Sequence, residues 1–215
     1  MIDVNETTPY DSLDYPALAN TCKACQACGL SETRTQVVVG TGPVPCNLMI
    51  IGEGPGAKED EQGLPFIGRS GQLLTKILDS VSINRESDVY ITNIVKCRPP
   101  KNRDPQKDEV AACKPYLIRQ IQLVQPKLLL VLGAPALKTV LEETTPISKV
   151  RGSWYQTPVN YMDDNLYIMP LFHPSYLLRN DSREKGSPKW LTWHDLKEIK
   201  AALSFYEQSE LDSAL

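Results

Sequence analysis

Short apolar runs alternate with stretches of helical periodicity along this chain of 215 residues, and the alternation limits its possible folds more than any other feature. Such runs are typical of strands buried within a parallel sheet. The predicted strands cover residues 47–51, 88–96, 127–132 and 166–172. The predicted helices cover residues 13–28, 70–81, 108–124, 134–141 and 188–206. Because this order favours a parallel sheet with helices on both faces, we predict an α/β fold, a three-layer α/β/α sandwich around a central four-stranded parallel sheet.

The composition is that of an ordinary globular protein, with 41% hydrophobic and 23% charged residues, and it excludes wholesale disorder. No apolar run approaches the ~20 residues that a membrane span needs. The acidic N-terminus has the character of neither a secretory signal nor a transit peptide. We therefore expect a cytoplasmic protein with a single domain over residues 13–208, a flexible N-terminal tail over residues 1–12 and a C-terminal tail over residues 209–215.

Three polar segments follow predicted strands, where parallel sheets bind their ligands. They are GEGPG at 52–56, the stretch 93–103 and HPSYLLRN at 173–180. The net charge of −3 excludes a strongly basic nucleic-acid binder, but residues 96–107 carry five positive charges and one negative charge. We expect a functional site at this edge of the sheet, beside a local basic face.

Six cysteines include two overlapping CxxC pairs, formed by Cys22, Cys25 and Cys28, and a wider-spaced pair, Cys97 and Cys113. A disulfide framework is not expected in a cytosolic protein of this size. Four thiolates suit a closed zinc site or an iron–sulfur cluster, and the spacing does not distinguish the two. The alternative is a set of scattered buried thiols with an incidental CxxC.

Long motifs in this sequence resemble those of the iron–sulfur uracil-DNA glycosylases, usually called family 4. The motifs are GEGPGAKEDEQGLPFIGRSGQLL, ITNIVKCRPPKNRDP and FHPSYLLRN, with a CxxC ahead of RTQVVVG. The resemblance runs from about Cys25 to the final helix, and it implies a four-stranded parallel sheet between helices. It also implies a structural 4Fe–4S cluster held by Cys25, Cys28, Cys97 and Cys113, which leaves Cys22 and Cys46 outside the pattern; Cys22 competes with Cys25 or Cys28 for a place among the ligands.

The resemblance further implies cleavage of the bond between uracil N1 and the deoxyribose C1′. Asn93 suits the recognition of uracil N3–H and O4, and His173 donates a hydrogen bond to O2. Phe66 resembles the aromatic residue on which the flipped base stacks, and Glu59 matches the residue that excludes the thymine methyl group. The expected uracil-binding residues are Gly52, Glu53, Gly54, Glu59, Phe66, Asn93 and His173.

The water-activating residue is the least defined part of this site. Gly54 occupies the place where another branch of the superfamily has an aspartate that orients water, so this chain lacks that carboxylate. Glu53 is the nearest candidate. We therefore expect catalysis by Glu53, Asn93 and His173 that depends mainly on stabilisation of the leaving uracil anion.

DNA contacts are expected on both sides of the site. Leu177 and Leu178 follow His173 in a turn that we expect to be exposed, where they would form a wedge that fills the space left by the flipped base. The expected contacts to phosphates are Lys96, Arg98, Lys101, Arg103, Ser175, Arg179 and Asn180.

The leading hypothesis is a monomeric, monofunctional uracil-DNA glycosylase of base-excision repair that acts on uracil-containing DNA. Two alternatives remain open. One is a catalytically silent iron–sulfur DNA-binding module, which the glycine at position 54 favours. The other is a glycosylase for a different deaminated base, such as hypoxanthine.

Overall fold

A five-stranded sheet lies at the centre of the protein in this computed structural model, which describes residues 1–162 and 164–213. Its strands are β1 (Leu48–Gly52), β2 (Val89–Asn93), β3 (Leu128–Leu132), β4 (Tyr155–Pro158) and β5 (Asn165–Leu171). The spatial order is β2-β1-β3-β5-β4. The first four strands in this order pair in parallel, and β4 pairs antiparallel with β5. The predicted α/β class is confirmed, with one strand more than expected.

Helices cover both faces of the sheet. They are α1 (Tyr15–Lys23), α2 (Ala57–Gln62), α3 (Arg69–Asp79), α4 (Lys107–Val124), α5 (Ala134–Leu141), α6 (Ile147–Val150), α7 (Pro174–Arg179) and α8 (Pro188–Ser213). Alternate strand residues face opposite layers, so Met49 and Ile51 pack with α1, α4 and α5, whereas Leu48 and Ile50 pack with α3 and α8. Within the described ranges, no helix has both the length and the apolar character to cross a membrane.

The extra strand β4 escaped prediction because it has neither an apolar run nor a full period-two signal. Its four residues are half-buried and exposed in turn, and it ends at Pro158. Such a strand is stable only at a sheet edge, where one side of its backbone needs no partner. The second predicted strand is shorter than expected, since β2 ends at Asn93 rather than at residue 96.

The N-terminal residues pack against the domain, so the prediction of a flexible tail over residues 1–12 is wrong. Ile2 and Val4 are 2% and 1% exposed. The Ile2 N–H donates to the Val140 carbonyl at 2.6 Å, and the Gln122 side-chain amide donates to the Val4 carbonyl at 3.1 Å. Two apolar residues were too few to produce a periodic signal. At the other end α8 continues to Ser213, and the domain limits of 13–208 and 209–215 stay a prediction.

Ile2→Ala should lower the free energy of unfolding by roughly 2–4 kcal/mol, because it empties a filled position between α4 and α5. Chemical denaturation measures the change. The matched control is Thr7→Ala, an exposed position in the same segment, which should stay within about 0.5 kcal/mol of the wild type. Equal free energies of unfolding for the two variants would show that Ile2 does not pack against the domain.

Candidate active site

The predicted site residues meet at the carboxyl ends of β1, β2 and β5. Gly52 at the end of β1 lies in register beside Asn93 at the end of β2. After this pair the segments that follow β1 and β2 stay side by side, since the Ile94 N–H donates to the Gly52 carbonyl at 2.9 Å. One pocket there is lined by Glu53, Gly54, Glu59, Phe66, Asn93, Pro99, Asn102, Arg103, His173 and Ser175, among others. The structure therefore brings together the residues that the sequence motifs indicated.

Asn93 carries a buried amide with no partner. Its side chain is 1% exposed, and neither Oδ1 nor Nδ2 makes a hydrogen bond within the described part of the chain. Each unsatisfied buried polar group costs about 1–3 kcal/mol, so a folded protein rarely leaves both ends of an amide unpaired. The amide is therefore available for a ligand that offers one donor and one acceptor side by side.

Glycine at position 52 makes room for this amide. A Cβ atom there would lie 2.5 Å from Asn93 Oδ1 and would collide with the Phe66 ring. Gly54 is under a milder restriction, because a Cβ atom would lie 3.0 Å from Val95 Cγ2. A side chain at position 54 would therefore require Val95 to shift by a few tenths of an ångström.

Phe66 is held by hydrogen bonds to the backbone before and after it in sequence. It has a left-handed backbone with φ of 51°, an unfavourable conformation for an aromatic residue. Arg85 donates to the Phe66 carbonyl at 2.7 Å and to the Pro65 carbonyl at 2.6 Å. Glu59 Oε1 accepts from the Ile67 and Gly68 N–H groups at 2.9 and 2.7 Å. Glu59 thus braces the loop that presents Phe66, besides lining the pocket.

Arg85 is a residue that the sequence reasoning missed. It lies in an ordinary polar loop before β2 and belongs to none of the three motifs. No periodicity or spacing singles it out, and only the fold shows that its guanidinium reaches back across the Phe66 loop.

His173 is oriented by the residue that follows it in α7. Its Nδ1 accepts the Ser175 backbone N–H at 3.1 Å, which places the ring proton on Nε2 in the neutral form. The Ser175 hydroxyl lies 2.8 Å from the same nitrogen. Burial, and after it the charge of Arg179, lowers the pKa of His173 to about 4. The imidazole is therefore a neutral hydrogen-bond donor at physiological pH, 5.8 Å from the Phe66 ring between centroids.

Glu53 is the titratable carboxyl group of the glycine-rich turn. Its pKa is raised to about 7, mainly by burial and further by the neighbouring carboxyl group of Asp104. Carboxyl groups with such values are suited to proton exchange near neutral pH. Asp104 was not among the predicted site residues, since a single acidic residue in a basic stretch gives no signal; it is exposed in the structure.

Two of the predicted DNA contacts are wrong because their side chains are buried. Lys96 is 1% exposed and points into the domain, since β2 has ended and the chain has turned inward by that residue. Leu177 is also 1% exposed. The segment after His173 is a helix rather than an exposed turn, so Leu177 faces the core and Tyr176, at 38% exposure, faces solvent.

The remaining predicted contacts lie nearer to solvent. Lys101 and Arg179 are exposed, whereas Arg98, Ser175 and Leu178 are half-buried. Arg103 forms a two-pronged ion pair with Glu109, at 2.8 and 2.6 Å, and its side chain is 37% exposed. This ion pair closes the basic loop onto the start of α4, so Arg103 has a structural role whatever else it contacts.

Five of the six cysteines line one cavity beside the site. They are Cys22, Cys25, Cys28, Cys97 and Cys113. All are free thiols, and we call this group the cysteine cage. Two N–H donors point at its sulfurs, from Arg34 Nη1 to Cys97 Sγ at 3.3 Å and from the Ala27 backbone to Cys25 Sγ at 3.5 Å. Among the described residues, no three His, Cys, Asp or Glu side chains are close enough to hold a single metal ion.

Cys46 is separate from the cage, because its thiol contacts the carbonyls of Leu48 and Asp88 at the amino-terminal ends of β1 and β2. Cys22, by contrast, shares the cavity although it lies outside the predicted ligand set. Burial raises the pKa of its thiol to about 12. Cys22 projects from α1, whereas Cys25 and Cys28 lie in the looser segment after the helix.

Comparison with known proteins shows the family to which this fold belongs. Residues 39–197 match the sequence model of the uracil DNA glycosylase superfamily. The chain belongs to that superfamily. It is 44% identical over 187 residues to a type-4 uracil-DNA glycosylase of Thermotoga maritima, covering 86% of this chain and 91% of the relative. A type-4 uracil-DNA glycosylase of Saccharolobus solfataricus is 37% identical, covering 90% of this chain and 88% of the relative. Within the superfamily, the chain belongs to the type-4 family.

We expect the His173 imidazole to stay neutral and protonated on Nε2 down to about pH 5, because its pKa lies near 4. Nitrogen-15 chemical shifts of the ring measure both charge and tautomer. Arg179→Met should raise the His173 pKa, since it removes the neighbouring positive charge, while Ser175→Ala should keep the tautomer because the backbone N–H remains. Titration of the wild-type ring near the ordinary value of ~6.5 would contradict the buried, neutral site.

Proposed function

We propose that this protein is a uracil-DNA glycosylase that hydrolyses the N-glycosidic bond of a uracil flipped out of DNA and leaves an abasic site. The observation that carries the proposal is the unpartnered, buried amide of Asn93 in a pocket with Phe66 and His173. Uracil supplies the missing partners, since its N3–H donates to Oδ1 and its O4 accepts from Nδ2. The base leaves the stack at a cost of a few kcal/mol, which these contacts offset.

The same amide explains the choice of base. Cytosine presents an acceptor at N3 and a donor at the exocyclic nitrogen, which opposes both atoms of Asn93. Each such buried mismatch costs about 1–3 kcal/mol, so the amide in this orientation favours uracil strongly over cytosine. The Glu59 carboxylate cannot move easily away from the base, because it accepts hydrogen bonds from the backbone of residues 67 and 68. It therefore limits the space beside the base.

Bond cleavage develops negative charge on the departing uracil and positive charge on the sugar. The neutral imidazole of His173 donates its Nε2–H toward O2, where the charge accumulates, and stacking on Phe66 holds the ring in place. Glu53 and Gly54 of the glycine-rich turn line the same pocket, and their backbone N–H groups are further candidate donors. Donors that are already oriented in a dry site stabilise such charge without rearrangement.

The attacking water is held by Glu53 in this proposal, because Gly54 offers no carboxylate. With a pKa of about 7, the Glu53 side chain is partly ionised at neutral pH and can accept a proton from water. The ionised carboxylate also faces the cationic sugar as the bond breaks. The site therefore combines leaving-group stabilisation with one weakly basic carboxylate.

The DNA strand lies across the mouth of the pocket. Arg98 and Lys101 on one side and Ser175 and Arg179 on the other are the proposed contacts to phosphates, with a smaller contribution from Arg103. Leu178 is the remaining candidate for the apolar wedge. The proposed organisation is a cytoplasmic monomer whose partner is uracil-containing DNA.

The cysteine cage fits a 4Fe–4S cluster better than a zinc ion. Zinc requires four ligands around one point, and the described side chains provide no such group. A four-iron cluster binds each thiolate to a different iron and so takes ligands spread around a cavity. The donors to Cys97 and Cys25 also suit thiolate sulfurs.

Cys25, Cys28, Cys97 and Cys113 would hold the cluster, and Cys22 would pack behind it. The cluster would supply a cross-link between the N-terminal segment and the basic loop, since base excision requires no electron. Its role in the chemistry is therefore to hold protein segments in place.

The purified protein should release uracil from a labelled oligonucleotide that contains a single uracil, which hot alkali then reveals as a cut at that position. Matched strands with cytosine or thymine should remain intact. Asn93→Ala should lower the rate by about 10²–10³-fold, since it removes donors and acceptors at the developing anion. A hypoxanthine strand cut in preference to the uracil strand would favour the alternative substrate, and DNA binding without any cut would favour the silent module.

The rate of uracil release should rise with pH up to about 7 and then level off, because Glu53 loses its proton there. Asp104→Asn should shift this limb to lower pH, since it removes the neighbouring acidic group that raises the pKa. Glu53→Gln should abolish the limb and slow the reaction at pH 8. Single-turnover rates between pH 5 and 9 measure all three; an unchanged profile in Glu53→Gln would assign the limb to another group.

A further inference from the structure

Lys96 is a buried cation that the proposed reaction does not yet explain. Its side chain is 1% exposed, and its ammonium nitrogen donates to Thr92 Oγ1 at 2.8 Å and to the Asn93 carbonyl at 2.5 Å. The first of these oxygens is itself fixed, because Thr92 Oγ1 donates to the Val39 carbonyl at 2.8 Å. Lys96 thus holds the end of β2 at Asn93, the residue whose side chain would recognise uracil.

The other side of Lys96 faces the cysteine cage. Lys96 lines the same cavity as the five cage cysteines. A buried charge requires an opposite charge nearby. The cage cysteines are free thiols in this structure, and with a cluster bound they would be thiolates that supply this opposite charge.

We propose that Lys96 is a positioning residue that couples the cysteine cage to the uracil-reading amide: it balances the charge of the thiolates and, through the Asn93 carbonyl, holds Asn93 in register. The inference rests on the proposed function and assigns to this lysine a role other than contact with DNA. It explains why Lys96 lies between Asn93 and the cage residue Cys97, in one short segment of chain. It also explains how Asn93 keeps its position although its side chain has no partner of its own.

The test replaces Lys96 with methionine, which keeps the length and removes the charge. Lys96→Met should slow single-turnover uracil release at least tenfold, because the Asn93 carbonyl loses a charged donor. Its affinity for DNA with a stable abasic-site analogue, and the salt dependence of that affinity, should stay within twofold of the wild type, because the side chain cannot reach a phosphate. Lys149→Met, an exposed lysine in α6, is the matched control and should change neither quantity.

A double-mutant cycle with Asn93→Ala separates positioning from general destabilisation. When Asn93 is already alanine, Lys96→Met should cause little further loss of rate, because Lys96 is proposed to act only through the position of the Asn93 side chain. Losses that multiply would overturn the proposal. So would a loss of DNA affinity with a weakened salt dependence, which would make Lys96 a phosphate contact.

A readout without uracil release keeps the inference distinct from the proposed function. Iron content and absorbance near about 400 nm should decay faster under a chelator in Lys96→Met than in the wild type, and Lys96→Arg should restore retention because it keeps the positive charge. If Lys96→Met does not fold, Thr92→Val is the decisive variant, since it removes one acceptor of the Lys96 ammonium group at nearly constant side-chain volume. It should slow uracil release about threefold in the wild-type background and have no effect beside Asn93→Ala. Unchanged cluster retention in Lys96→Met, or an unchanged rate in Thr92→Val, would refute the coupling.

Discussion

The geometry of this site depends on the close approach of the ends of β1 and β2, where glycine at position 52 places no side chain between them. Gly52 and Asn93 are neighbours in the parallel register of β1 and β2, and the hydrogen on Gly52 leaves a space that the Asn93 amide and the Phe66 ring share. A methyl group there would collide with both the Asn93 amide and the Phe66 ring. The strained backbone of Phe66 and the two hydrogen bonds from Arg85 serve the same contact, because they bring an aromatic ring to a place that only an unusual turn can reach.

Burial acts on two titratable groups of the pocket, His173 and Glu53, and favours the neutral form of each. It lowers the pKa of His173 and raises that of Glu53, so both side chains lose charge relative to water. A neutral imidazole beside an uncharged base avoids the cost of a buried cation before the bond breaks. The charge then develops on the substrate, where fixed donors are worth most, because few mobile dipoles screen it. The site thus needs no strong base, consistent with the glycine at position 54.

The sequence predicted the parts of the protein that depend on local pattern. Apolar runs gave the four parallel strands, and the polar segments at their ends gave Asn93, Glu53 and His173 at one edge of the sheet. The failures concern residues whose environment is set by distant segments. Lys96 was predicted to lie on the surface because charged residues usually lie there. Leu177 was predicted to lie on the surface because a helix of only six residues, α7, could not be distinguished from an exposed turn.

The cysteine cage lies where an irregular segment meets the domain. Residues 24–47 contain only a four-residue 3-10 helix, so the segment has little regular backbone structure of its own, yet it packs beside β2 and the basic loop. Hydrogen bonds hold it to several elements: the Val38 N–H donates to the Lys96 carbonyl at 2.8 Å, Thr41 pairs with Ile91, and the Thr35 N–H donates to Asp60 Oδ1 at 2.8 Å. A cross-link adds to such contacts because it removes entropy from the unfolded chain. In the proposed holoprotein, a cluster between Cys25, Cys28, Cys97 and Cys113 would place that cross-link where the segment meets the strand that carries Asn93, so it would act on the stability of the segment and on the position of the Asn93 amide together.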